Sequence, residues 1–180
     1  MKLLFDCLPM FLVLTCLACA TVHPTTDAAG GRPDNFSIEY EWQEGSLPPP
    51  NHYEYTITIT PDGQGAVVMI PDYPSMTAVK WTEHFTVKAE ELDGLDQVMK
   101  ANGLFTREWR TPDPPRVGGS RRSLTVTTGG RRAAIRTPVV SEQESAVGAM
   151  CAAVEALVPK ATWDTLNARR RQYVQEQRGR

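Results

Sequence analysis

Between positions 36 and 60 the chain alternates apolar and polar residues with a period of two. Phe36, Ile38, Tyr40 and Trp42 fall on one side, and Ser37, Glu39, Glu41 and Gln43 on the other. After a loop carrying Pro48, Pro49 and Pro50, Tyr53, Tyr55, Ile57 and Ile59 alternate with Glu54, Thr56, Thr58 and Thr60. Successive side chains of a strand point to opposite faces, so this pattern predicts strands of a sheet with one buried and one wet face. Pro61-Asp62-Gly63 predicts a turn, because Pro presets φ and Gly accepts a positive φ. Ala66 to Ile70 predicts a third strand. Past a loop holding Pro71 and Pro74, Trp81 to Val87 predicts a fourth, with Trp81, Glu83, Phe85 and Val87 on one side.

From Ala89 to Asn102 the period lengthens, and Leu92, Leu95, Val98 and Met99 fall on one helical face. Glu90 and Glu91 suit the positive end of the helix dipole, and Asn102-Gly103 is a stop signal. Leu104, Phe105 and Trp109 are expected to pack beneath this helix. Arg121 to Thr128, Gly129-Gly130 and Arg131 to Thr137 predict a tight hairpin, with Leu124, Val126, Ala133 and Ile135 facing inward. Ser141, with Glu144 three residues on, reads as a capping box opening a second helix. Val147, Met150, Cys151, Val154, Leu157 and Val158 form its apolar stripe, which Pro159 ends. A last helix is expected from about Ala161 to Gln177, with Trp163, Leu166, Tyr173 and Val174 on one side and a frayed end at 178–180. Strands followed by helices predict an α+β fold: an antiparallel sheet of about four to six strands with two or three helices on one face.

The N-terminus breaks this pattern. Lys2 is followed by an apolar stretch from Leu8 to Ala20, interrupted only by Thr15. A short positive start, an apolar core of about 7–15 residues and small residues at the end make a secretory signal. The core is shorter than the roughly 20 apolar residues of a membrane span. Residues 1–20 are therefore expected to be a signal peptide, with an uncleaved anchor as the weaker reading. Two endings compete. Leu17-Ala18-Cys19 resembles a bacterial lipoprotein signal, which would lipidate Cys19, with Cys16 as the alternative acceptor. Ala18-Cys19-Ala20 instead suits ordinary cleavage before Thr21. Residues 21–35 read as a flexible tether, and residues 36–177 as a single domain of sufficient size to bury a core.

Cysteine usage agrees with export. Cys7, Cys16 and Cys19 lie in the signal, which leaves Cys151 alone in the domain and allows no internal disulfide there. Cys151 sits on a helical apolar stripe, the place of a core residue rather than a nucleophile.

The net charge of −2 implies neither nucleic-acid binding nor general attraction to a membrane surface; membrane attachment would come through the lipid on Cys19. The charge is uneven, however. Six acidic residues and no Lys or Arg lie between Asp34 and Asp62, whereas eight Arg lie between Arg107 and Arg136, and six more Lys/Arg follow Val158. Cross-strand pairing or solvated faces account for this more simply than a basic patch for an acidic partner.

No motif carries recognisable catalytic chemistry. There is no nucleophile elbow, P-loop, dinucleotide fingerprint or H-E-x-x-H, and no calcium loop around Asp62. His23, His52 and His84 lack the spacing of a metal site and are expected at the surface, and no cofactor or metal is implied. Glu83 and His84 are sequence neighbours that converge only if their strand bends. Aromatics are the remaining clue. Tyr40, Trp42, Tyr53 and Tyr55 on alternating faces read as sheet core. Tyr73, in Pro71-Asp72-Tyr73-Pro74, fits that reading least and with Trp81 forms the candidate exposed element for binding a partner.

Phe36-Ser37-Ile38-Glu39-Tyr40, Tyr53-Glu54-Tyr55-Thr56, Pro61-Asp62-Gly63-Gln64-Gly65 and Trp81-Thr82-Glu83 resemble, loosely, uncharacterised domains of bacterial exported proteins. The resemblance implies no activity and carries no site residue. The expectation is a small exported, membrane-tethered, non-enzymatic domain of the cell envelope or periplasm that binds a protein or envelope component. The alternative is a small extracytoplasmic hydrolase or inhibitor-like domain whose site is not a linear motif.

Overall fold

The computed structural model describes residues 31–179 apart from 76 and 115; the expected signal and the lipidation candidates Cys19 and Cys16 lie outside the described residues. The fold is α+β, with one antiparallel six-stranded sheet and three helices. In chain order the elements are β1 (Ser37–Gln43), β2 (Glu54–Ile59), β3 (Gln64–Ile70), β4 (Trp81–Thr86), α1 (Ala89–Ala101), β5 (Arg121–Thr128), β6 (Arg131–Arg136), α2 (Ser141–Ala156) and α3 (Lys160–Arg178). The spatial order is β4-β3-β2-β1-β5-β6, so the β5–β6 hairpin adds to the free edge of β1.

The period-two pattern sets the faces. Ile38 and Tyr40 of β1 lie opposite Ile59 and Ile57 of β2, and opposite Val126 and Leu124 of β5. These side chains, with Val67, Met69, Phe85 and Ile135, are buried on one face. Leu92, Leu95 and Met99 of α1, Val147, Met150 and Val154 of α2 and Leu166 of α3 close the same core. The opposite face carries Thr, Ser, Glu and Arg and is more open to solvent. Apolar burial at about 25 cal/mol per Å² makes this single core the dominant stabilising term.

The stops behave as their chemistry dictates. Gly129 and Gly130 take φ of 53° and 76°, the two positive values a tight two-residue hairpin turn requires. Gly103, at φ 74°, ends α1, and the following Leu104 N–H donates to Met99 O at 3.0 Å. Gly65 has a different role: a Cβ there would lie 2.4 Å from the Phe85 ring, which covers it from the neighbouring strand.

Several local expectations are corrected. The capping box at Ser141 does not form. Val140 is the N-cap of α2, and the Glu144 carboxylate instead accepts from Arg116. The buried Gln143 takes the structural role at this end. Its side chain accepts from Arg110 N–H at 3.0 Å and donates to Glu108 O at 2.7 Å, pinning the preceding loop. The last helix runs to Arg178, which donates to Asn51 Oδ1 at 2.9 Å. The end of the expected tether is also engaged: Arg32 pairs with Asp93 at 2.9 Å, and Asn35 Oδ1 accepts from Gly129 N–H at 2.7 Å. β1 and β5 are neighbours, as charge pairing would need, but Glu39 and Glu41 face Thr125 and Ser123 rather than arginines.

The register divides the domain into two ends. At one end lie the tight turns after β2 and β5 and the point where Gly31 leads into the body. At the other lie the long connections: 44–53, 71–80, 111–120 and the segment after β6.

Candidate functional site

The loop end gathers the exposed apolar surface. Leu47, Tyr73, Val79 and Val117 are 42%, 43%, 47% and 97% exposed, and all four lie in the long connections of this end. Two adjoining hollows of about 380 and 270 Å³ open here and share Val79 and Tyr173. The first is walled by Tyr73, Ile70 and Pro49, and the second by Trp81 and Arg169. One side is thus the β3–β4 loop and the other the C-terminal half of α3.

Tyr73 and Trp81, paired by the sequence as an exposed element, meet different fates. Tyr73 is exposed but held. Its ring lies on the His52 imidazole, with centroids 3.8 Å apart and planes 2° from parallel, and its hydroxyl donates to Leu47 O at 2.8 Å. Trp81 is half-buried, edge-on to Tyr173 at 6.2 Å, and is a wall of the second hollow rather than a free element. The expectation of a surface His52 is overturned. It is 1% exposed, with Nδ1 at 3.2 Å from Gly45 O and Nε2 at 2.9 Å from Glu54 Oε1. Its partners come from both sides of the 44–53 loop, so spacing along the chain could not reveal them. Glu83 and His84 point to opposite sheet faces: Glu83 pairs with Arg169 at 2.9 Å, and His84 is exposed.

A buried polar relay, which sequence reasoning missed, runs under α2. Glu155 Oε1 accepts from Tyr40 at 2.5 Å and from Tyr55 at 2.8 Å. Desolvation, reinforced by the Glu155 carboxylate, pushes both phenols well above the ordinary tyrosine range, so both stay protonated as donors. Arg122, on the inward side of β5, lies next to Tyr40. Burial favours its neutral form, but Tyr40, Cys151 and Glu155 more than offset this and raise it further. The same burial pushes the Cys151 thiol up to about 12, against a lowering influence of Arg122. A buried, fully protonated thiol is a poor nucleophile. One signal was available: the alternation that faces Leu124 and Val126 inward also faces Arg122 inward.

Aromatic packing extends this relay towards the loop end. Trp42 stacks on Tyr55 at 5.2 Å, Trp163 meets Tyr55 edge-on at 5.0 Å, and the Arg170 guanidinium lies 3.8 Å above the Tyr53 ring. Tyr40 and Tyr55 are core, whereas Trp42 and Tyr53 are half-buried and rigidify the floor of the loop end.

No protein-family model matches this chain, and no curated protein matches it closely enough to count as a relative.

Proposed function

We propose that this protein is an exported, envelope-associated binding domain, tethered through its N-terminal segment and not an enzyme. Its recognition surface is the pair of hollows between the β3–β4 loop and α3. One observation carries the reading: of the four exposed large apolar side chains among the described residues, Tyr73 and Val79 line one hollow at the loop end and Leu47 is tied to Tyr73 beside it. Tyr and Trp are enriched where proteins bind partners, and exposed apolar groups around a hollow mark such places. Tyr73 is already held on the His52 ring and by Leu47 O, so little ordering entropy would oppose binding.

The hydrolase alternative has less support. Glu83 and His84 diverge, and Tyr40, Tyr55 and Cys151 are held in their protonated forms. The resemblance to exported bacterial domains and the signal-like N-terminus support the compartment.

The test is a pull-down from the source envelope with the full-length protein and with Tyr73→Ala and Val79→Asp variants. Loss of a specific partner in both variants is expected. Unchanged capture of every partner by both would remove the site assignment.

A further inference from the structure

β6 is an edge strand, and the partner-binding reading does not use it. Its pairing with β5 fixes which backbone groups it leaves free. The two-residue turn makes Thr128 and Arg131 a hydrogen-bonded pair, and such pairs alternate along an antiparallel ladder. Ala133 and Ile135 therefore bond to Val126 and Leu124. The next pair in phase agrees, since Thr137 N–H donates to Arg122 O at 2.9 Å. Arg132, Ala134 and Arg136 fall between these pairs. Their N–H and C=O groups point away from β5, to the open edge. All three residues are exposed, and these backbone groups have no partner among the described residues.

The side chains of the same three residues share one face. Ala133 and Ile135 turn towards the core, so Arg132, Ala134 and Arg136 lie on the face opposite the helices. Arg132 and Arg136 form no ion pair among the described residues. Arg131, on the inner side, is committed instead: it donates to Phe105 O at 2.7 Å and lies over the Phe105 ring. On the outer face the register sets Glu41 two strands from Arg136, across Ser123, about 10 Å at the usual strand spacing. Arg121, exposed and diagonal to Arg136 on β5, adds a third positive charge. Free backbone groups and unpaired guanidinium groups thus belong to one row of residues.

A second copy does not fit this edge. Antiparallel pairing of two β6 strands about Ala134 would set Arg132 against Arg136, and like charges directly opposite each other repel. Edge arginines deter such self-pairing while leaving the edge open to the opposite charge. We infer that the β6 edge takes up an extended acidic segment of a partner protein as a seventh strand. Its backbone would pair with Arg132, Ala134 and Arg136, and two of its carboxylates, four residues apart, would meet the two guanidinium groups. Strand addition draws affinity from main-chain bonds and selectivity from alternate side chains. The small Ala134 leaves room for an apolar side chain between the carboxylates. The hollows of the loop end lie beside β4, at the other edge of the sheet, so this inference does not depend on them.

The experiment titrates the purified protein with the acetylated and amidated heptapeptide Thr-Glu-Thr-Val-Thr-Glu-Thr, following backbone amide resonances. Saturable shifts are expected at Arg132, Ala134 and Arg136. The same peptide with Lys in place of both Glu, and the same peptide with N-methylvaline at its centre, should each bind at least tenfold more weakly. Arg132→Glu combined with Arg136→Glu changes only exposed positions; it should lose the glutamate peptide and gain the lysine peptide. No saturable shift at β6, equal affinity for the glutamate and lysine peptides, or undiminished binding of the N-methylated peptide would overturn the inference.

Discussion

The His52 imidazole lies flat beneath the Tyr73 ring, 3.8 Å between centroids, and ties the most exposed aromatic of the domain to a buried histidine. The Tyr73 loop is therefore positioned from below, not left to wander. His52→Ala would remove this support and leave Gly45 O without the imidazole and Glu54 with Gln43 alone, at a cost of about 1–3 kcal/mol. A double-mutant cycle of His52→Ala with Tyr73→Ala, read by urea unfolding, should give a coupling of about 0.5–1.5 kcal/mol. Additive effects would mean that the stack does not hold the loop.

Alkaline pH should unfold the domain through its buried acids. The Cys151 thiol rises from 9.0 to about 12 on folding, and Tyr40 and Tyr55 rise above their ordinary 10.0. A group whose folded pKa is raised stabilises fully below its unfolded pKa and loses that contribution as pH climbs towards the folded value. Stability is thus expected to fall above pH 9, by about 1.4 kcal/mol per pH unit for each such group in its window. Cys151→Ala should delay the onset to near pH 10, where the tyrosines begin. The check is urea unfolding at a series of pH values, with unchanged onset in Cys151→Ala as the contrary result.

Gln143 holds the loop before β5 through two side-chain hydrogen bonds, to Arg110 N–H and Glu108 O. Gln143→Leu keeps the volume but leaves Arg110 N–H and Glu108 O unpaired, at a cost of about 1–3 kcal/mol. Hydrogen exchange at Arg110 should speed up in this variant, whereas exchange in the β1–β2 pair should be unchanged.

Gly65 should tolerate no side chain. Gly65→Ala drives a methyl into the Phe85 ring and is expected to cost about 1–3 kcal/mol in thermal or urea unfolding. Phe85→Leu in the same background should recover part of the loss, because it vacates the space the methyl needs.

The sheet and its helices were legible because local patterning and global fold agree. The alternation from Phe36 to Trp42 needs no partner to be read, and the hairpin follows from Gly129-Gly130 between two apolar-periodic runs. The candidate site was legible only in part. Tyr73 stands out as an aromatic in a proline loop, but the partial burial of Trp81 is not legible, because its cover, Tyr173, comes from a helix more than ninety residues away. Glu155 reads along the chain as the polar neighbour of an apolar stripe. Only the fold brings Tyr40 and Tyr55 to it. The Ser141 signal failed for a local reason: α2 begins at Ser141 itself, with Val140 as its N-cap, and Glu144 finds a stronger partner in Arg116.

The central claim is that the domain meets its partner through the loop end. The most direct measurement is site-specific photo-crosslinking in the source cell, with a photoreactive side chain at position 79 and, separately, at position 62 in the turn at the opposite end. The account expects a discrete adduct from position 79 that Tyr73→Ala abolishes, and none from position 62. Equal adducts from both positions, or adducts from position 62 alone, would contradict it.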